Sequence, residues 1–424
     1  MASTWSCTLI VLSSGSGVPL LIRHVGPGKA PAYALIGSLN GVHVFGESHG
    51  VNLCNTHTHN ANITWKTYHN SIRLVLVRGS ECVGDGCDSR LLDLVFGSLV
   101  LLTGLDTLNT HTNIERLKRD VRVCYGVIDE LLCAAMNTHE HTHFSHLTGC
   151  VECVIPAEQH TLQAELEKFA EGADSTYACV TLRGRVVCAT RNLWSLSRTE
   201  LVLLPLLAHT NTHTAARDIP IYLPHKSPNV PFRLLVVRLL GHVCVLVLCG
   251  PTPTLSHMMR SATTFWTPTY PTLEALVSLG PRTLAHNILS QLDNAVLGLI
   301  LVNYNNKRCI SCVHPSEEIR SPPPRGLSVG KKVLALQSVY RALIGPLLQP
   351  PAMPPSEDYP TLALHPDHSP RECYLNTESY KIYILQNSHY HLFVLFPPAL
   401  PIHIARQVSQ RTLTIFTKGK TPKF

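Results

Sequence analysis

The chain has 424 residues, enough for two to four domains with separate cores. Only 15% of them are charged against 45% hydrophobic, where soluble domains usually carry ~25% charge, so part of the surface is expected to lie under partners. The net charge of +7, densest in "RLKRDVR" (116–122) and "TKGKTPKF" (417–424), suits an acidic protein or peripheral contact with an anionic membrane. It excludes the basic stripe with interleaved aromatics that nucleic-acid binding requires.

Strand signals open the chain with "WSCTLIVL" from Trp5 and "VPLLIRH" from Val18, joined by the turn "SSGSG". In "APAYALIGSLNGVHVFG", Leu35, Leu39, Val42 and Gly46 step by three or four residues, as on a helix that begins near Pro31. Gly37 and Gly41 lie one turn apart on it. A mid-helix glycine costs ~1 kcal/mol relative to alanine, so two of them suggest a helix backbone brought close to something, with a glycine-rich loop as the competing reading. The strands "GVNLC", "NITWKTY" and "SIRLVLV" follow, the last two flanking the tight turn His69-Asn70. Two helices close the unit. In the second, "NIERLKRDVRVCYGVIDELL", Ile114, Leu117, Val121, Cys124, Ile128 and Leu131 form one apolar face.

The same order returns twice. After a linking helix at 157–172, "STYACVTL" and "RVVCAT" pair across Arg183-Gly184. The helix "RTELVLLPLLA" and the strands "IPIYL", "PFRLLVVRLLG" and "HVCVLVLCG" come next, then helical sequence. The third pass runs "AVLGLILVN", "KRCISCV", helix "GKKVLALQSVYRALIG", strands "RECYL", "YKIYILQ" and "YHLFVLF", and a last helix "PIHIARQVSQRTLTIF". Prolines crowd 346–370, which is expected to be a surface insert rather than helix or central strand. The expected organisation is α+β, with domains at 1–150, 151–290 and 291–424. Each is a ββαβββα unit whose five-stranded, mainly antiparallel sheet is flanked by helices, the order of a longin domain.

Motifs for chemistry are weak. "HEHTH" at 139–143 fits H-E-x-x-H, in which two histidines on one helix face hold Zn²⁺ and the glutamate serves as base. It is one of four Thr/His tracts, with "NTHTHN" at Asn55, "NTHTN" at Asn109 and "HTNTHT" at His209. All four fall between expected elements, and Asn137, Thr138, Thr142 and Ser145 favour turns over a zinc-binding helix. "GLSVGKK" at 326–332 lacks the spacing and the Mg²⁺-binding hydroxyl of a phosphate loop. The CxxC pairs Cys150/Cys153 and Cys309/Cys312 are too far apart for a zinc ribbon. In an alternating strand, moreover, Cys309 and Cys312 point to opposite faces. No secretory leader or clean membrane span is apparent, which points to a soluble intracellular chain with reduced thiols. No catalytic, cofactor-binding or metal residue is expected, and no zinc requirement.

Longer strings carry a resemblance. "ALIGSLNGVHVFGES", "ITWKTYHNSIRLVLV", "TNIERLKRDVRVCYGVID", "CVECVIP", "TAARDIPIYLPH" and "LCGPTPTLS" together resemble the Fuzzy family of tri-longin planar cell polarity effectors, densely up to Cys249 and more thinly beyond. The resemblance implies a non-enzymatic subunit of the ciliogenesis and planar polarity effector (CPLANE) complex, with Inturned and Fritz as partners. It implies action with Inturned on a Rab-type small GTPase, through guanine-nucleotide exchange that needs no cofactor. It also implies recruitment of intraflagellar transport components at basal bodies, in the cytoplasm and cytoskeleton. The alternative is a non-catalytic scaffold or trafficking adaptor. The expected partner interface runs from Gly37 and Gly41 to an edge strand around Trp65 and Lys66. The competing reading makes Trp65 core and the glycines internal packing.

Overall fold

Three sheets, one for each pass through the expected order, organise a computed structural model that describes residues 6–79, 85–110, 113–136, 143–210, 214–279, 282–313, 327–344 and 370–418. The first unit contains β1 (Cys7–Ser13), β2 (Pro19–Val25), α1 (Tyr33–Ser48), β3 (Asn55–His57), β4 (Ala61–Tyr68) and β5 (Ile72–Gly79), in the sheet order β2-β1-β5-β4-β3. His69 and Asn70 adopt φ of 50° and 51°, the left-handed pair that a two-residue hairpin needs to match strand twist. Helices α2 (Asp85–Thr103) and α3 (Tyr125–Met136) close the unit. The apolar face expected before and within α3 is present: Leu117, Val121, Cys124, Ile128 and Leu131 are buried, and Asn113 caps the short helix Ile114–Asp120 by accepting from the Arg116 N–H.

One strand lies elsewhere than expected. Residues 51–54 are not paired as a strand; β3 forms three residues later, inside the first Thr/His tract. Thr56 pairs with Ile63 across the ladder, and the Cys54 carbonyl accepts from the Trp65 N–H at 2.7 Å. Threonine suits a pleated edge, so a tract that drifts in composition can still supply one.

The chain then passes through β6 (Val151–Glu152) into α4 (Gln159–Gly172), β7 (Tyr177–Leu182), β8 (Arg185–Ala189) and α5 (Arg198–His209). It continues through β9 (Ala216–Leu223), β10 (Ser227–Leu240), β11 (Val243–Cys249) and α6 (Leu255–Trp266). The second sheet reads β8-β7-β11-β10-β9, the arrangement of the first. The third unit has β12 (Gly298–Asn303), β13 (Arg308–Val313), α7 (Val329–Leu343), β14 (Glu372–Asn376), β15 (Lys381–Gln386), β16 (Tyr390–Phe396) and α8 (Ile402–Lys418). Its sheet, β14-β15-β16-β12-β13-β6, has six strands because β6 adds in parallel to β13. Apart from Pro370, the proline-rich insert lies outside the described residues.

Each sheet turns one face to a shared core. Leu99 of α2, Leu203 of α5, Leu234 of β10, Leu301 of β12 and Phe416 of α8 belong to one continuous apolar cluster. A buried leucine of this kind contributes roughly 1.5–3 kcal/mol, so the three units are held as one body. Gly97 permits the closest approach within it. A Cβ there would lie 2.5 Å from Thr199 Cγ2 and 3.2 Å from Leu203 Cδ1, so α2 can cross α5 only without a side chain at that position. Cys309 and Cys312 face opposite sides of β13, one in the third unit's outer cluster and the other in the shared core. The described cysteines are free thiols.

Polar groups are buried where the units meet. Residues 151–155 lace the second and third units: the Cys153 N–H donates to the Cys309 carbonyl at 2.8 Å and the Val154 N–H to the Val186 carbonyl at 2.9 Å. Glu152 sits at the centre, with 1% of its surface exposed. The Phe144 N–H donates to its Oε2 at 3.2 Å and the Ser311 hydroxyl donates to Oε1. Arg185 Nε and His143 Nδ1 stand 3.2 and 3.4 Å from Oε2. Burial pushes this carboxyl up, but Arg185 and the hydrogen bonds from His143 and Ser311 outweigh it and hold the pKa at about 2.

Acid is therefore expected to loosen this junction. Burial is the first cause that lowers the pKa of His209 and of His391 to about 4, and it also lowers that of His143. Because these imidazoles fold neutral, their contribution is complete above ~6.5, the unfolded value. It falls as pH drops toward 4, by ~1.4 kcal/mol per pH unit each for His209 and His391, and His143 acts in the same direction. Glu152 extends the loss from the unfolded carboxyl value down toward pH 2. Urea midpoints should hold from pH 7.5 to about 6.5 and decline from there to 4.5; a profile flat throughout would contradict the assignment.

Candidate partner interface

Helix α1 covers the outer face of the first sheet, and it does so thinly. Ile36 joins Ile10, Leu12, Ile63, Trp65 and Val75 in a small cluster away from the shared core. The rest of the helix is held by charge. Arg73 on β5, 2% exposed, donates to Asn40 Oδ1 at 2.9 Å and to both Glu47 carboxylate oxygens at 3.0 Å. His43 is buried beside them, 3.5 Å from Glu47, and burial together with Arg73 lowers its pKa. Gly17, at φ +67°, allows the β1–β2 turn to meet Asn40, since a Cβ there would lie 2.4 Å from Nδ2.

The face that seats on the sheet is rotated from the one the apolar spacing suggests. Ile36 and His43 are buried and Leu39 is half-buried, whereas Leu35 and Val42 are 50% and 56% exposed. Apolar residues occur all round this helix, so periodicity alone cannot choose the inner face. The ion pair with Arg73 decides it. Outward face Ala34, Gly37, Ser38, Gly41 and Ser48, a floor of small residues flanked by Tyr33 at 75% and Phe45 at 66% exposure, with Val42 and Val44 beside them. Among the described residues, and apart from the helix's own backbone and the glycines' chain neighbours, no atom lies within 4 Å of a Cβ built on Gly37 or Gly41. These glycines therefore leave room outside the chain and do not serve its internal packing.

Trp65 and Lys66 are placed differently. Their strand β4 is not an edge, because β3 pairs along its outer side. Trp65 is 3% exposed in the cluster beneath α1. Lys66 points to the other face, where its ammonium lies 2.7 Å from Asp93 and donates to Ser89 at 3.1 Å. Both are interior supports of the sheet, as alternation along a strand requires of neighbours with opposite roofs. Neither offers a docking surface. Sequence reasoning missed the outward set Tyr33, Val42, Val44 and Phe45; apolar residues recurring outside the seated stripe were the available signal.

Compared with the other units, this outer layer is sparse. The second sheet's outer face is covered by α4 and α6, whose Leu166, Phe169, Met258 and Trp266 are buried against it. The third carries α7 together with Phe144 and Leu147. Among the described residues no three His, Cys, Asp or Glu side chains are grouped to hold a metal, and no helix is long and apolar enough to cross a membrane. Residues 139–142 of "HEHTH" lie outside the described residues; His143 packs edge-on against His209, 6.1 Å between centroids.

Family comparison adds to this geometry. Three family models match in succession, described as the first, second and third longin domains of FUZ, MON1 and HPS1, over residues 7–131, 173–267 and 295–420. The protein fuzzy homolog of Homo sapiens is 37% identical over 423 residues, covering 96% of this chain and 97% of its own length. That of Xenopus tropicalis is 33% identical over 422 residues, covering 97% and 98%. That of Mus musculus is 35% identical over 418 residues, covering 96% and 97%.

Proposed function

Because the chain belongs to the Fuzzy family of triple-longin proteins, we propose that it is a planar cell polarity and ciliogenesis effector that works as a subunit of a CPLANE-type complex. In this reading the outer face of α1 docks a longin domain of Inturned, with Fritz in the same assembly. The pair then regulates a Rab-type small GTPase and promotes recruitment of intraflagellar transport components at basal bodies. The observation that supports the reading is the small-residue floor of α1, with its apolar rim, which no described residue covers, on a unit whose described outer layer is a single helix.

Nucleotide exchange requires no proton transfer. A surface that binds the nucleotide-free GTPase better than the loaded form shifts its population by that difference in affinity. The proposal thus asks for an interface and no catalytic residue. Its test is GDP release from candidate Rab proteins, measured with this chain alone, with Inturned alone and with the two together. Release accelerated only by the pair supports joint exchange. Equal release by Inturned alone would leave this chain as the scaffold or adaptor.

A further inference from the structure

A second feature lies in the second unit, at the C-terminal end of α5, and is independent of the proposed partner surface. Thr181 on β7, Cys244 on β11 and Arg238 on β10 stand in one cross-strand row, each paired with the next. Together with His209 at the end of α5, Arg217 on β9 and His242 in the β10–β11 turn, they line a cleft. Its enclosed part is ≈ 20 Å³, about the room of one water-sized atom, and it widens toward solvent. Arg217 donates to the Leu207 and Ala208 carbonyls, which fixes its guanidinium at the helix end. Arg238 makes no side-chain hydrogen bond or ion pair among the described residues.

The cleft is electrostatically one-sided. No aspartate or glutamate lines it among the described residues. Asp218, next to Arg217, points the other way and pairs with Arg233. Burial, then His143, His242, Arg185 and Arg183, press on His209; burial and Arg238 press on Arg217. Of the described carboxylates, Glu152 on β6 and Glu130 on α3 act on His143, and Glu152 is already matched by Arg185. Among the described residues, two guanidiniums and two imidazoles line the cleft without a carboxylate, and Arg-rich clusters recognise phosphate oxygens through charge-assisted hydrogen bonds.

We propose that this cleft binds a phosphate-type oxyanion, the phosphoryl group of a monoester, with one oxygen in the enclosed part between Arg217, Arg238 and His209 and the rest at the mouth beside His242.

Thermal unfolding of the full chain tests this, with inorganic phosphate titrated against chloride at constant ionic strength. A saturable rise in Tm is expected with phosphate only. Arg238→Gln should leave the Tm in chloride unchanged and weaken phosphate binding by about ten-fold or more; His242→Asn, at the mouth, should weaken it less. Glycerol 3-phosphate and vesicles containing phosphatidic acid distinguish a soluble ester from a membrane-borne one. A response in either arm that Arg238→Gln abolishes supports the site. No preference for phosphate over chloride, or a response that Arg238→Gln leaves intact, overturns it.

Discussion

Replacing Glu152 by alanine is expected to destabilise the folded chain by ~3–5 kcal/mol, the usual cost of removing one partner from a buried ion pair. The carboxylate is enclosed at the meeting of β6 with the second and third sheets. Without it Arg185, 6% exposed, loses the carboxylate that stands 3.2 Å from its Nε. The Phe144 N–H and the Ser311 hydroxyl lose their acceptor as well, and each buried group left unmatched adds ~1–3 kcal/mol. Glu152→Gln keeps an acceptor oxygen and should fall between the parent and Glu152→Ala. Urea unfolding at pH 7 measures both. Because the shared core joins all three units, one transition should shift to lower urea. A loss below ~1 kcal/mol, the scale of an exposed pair, would mean that the junction is open to water.

Much of the architecture is legible in the chain, and the reason is local. The β-hairpins at His69-Asn70 and Arg183-Gly184 place left-handed residues between alternating apolar strands. The buried face of α3 repeats at helical spacing, and α5 is apolar on every side, as a helix buried all round must be. Repetition of that order three times organises the three sheets. What stayed hidden depends on distant pairing. β6 is two residues long, too short for any periodicity, and its partner Arg308 lies 157 positions beyond Val151. Gly97 shows no local sign that Thr199 packs on it. Two Thr/His tracts that read as independent loops bring His143 and His209 together beside the Gly184 turn. β3, expected before Asn55, forms where β4 offers an unpaired edge.

The candidate interface was legible in part. Gly37 and Gly41 mark the helix, but their spacing alone does not say whether the open side faces the sheet or solvent. The Arg73–Glu47 pair, which joins residues 26 positions apart, turns the helix so that the glycines face out. The aromatic Trp65 suggested an edge contact and is instead the floor beneath α1. Burial of a large aromatic is its ordinary fate, and only the short β3 beyond it decides which reading holds.

Gly41→Leu separates internal packing from docking. Nothing among the described residues meets a Cβ at Gly41, and leucine favours helix over glycine by up to ~1 kcal/mol. The isolated protein should therefore keep its Tm or gain slightly. A partner helix seated on the small-residue floor would meet the added bulk, and overpacking of this kind costs ~1–3 kcal/mol. The deciding measurement is the affinity of the purified parent and Gly41→Leu chains for Inturned, with the Tm of each chain recorded alongside. The predicted result is a fall in affinity of about ten-fold or more, since ~1.4 kcal/mol is one decade, with no loss of Tm. Unchanged affinity in a fully folded variant would contradict docking at α1.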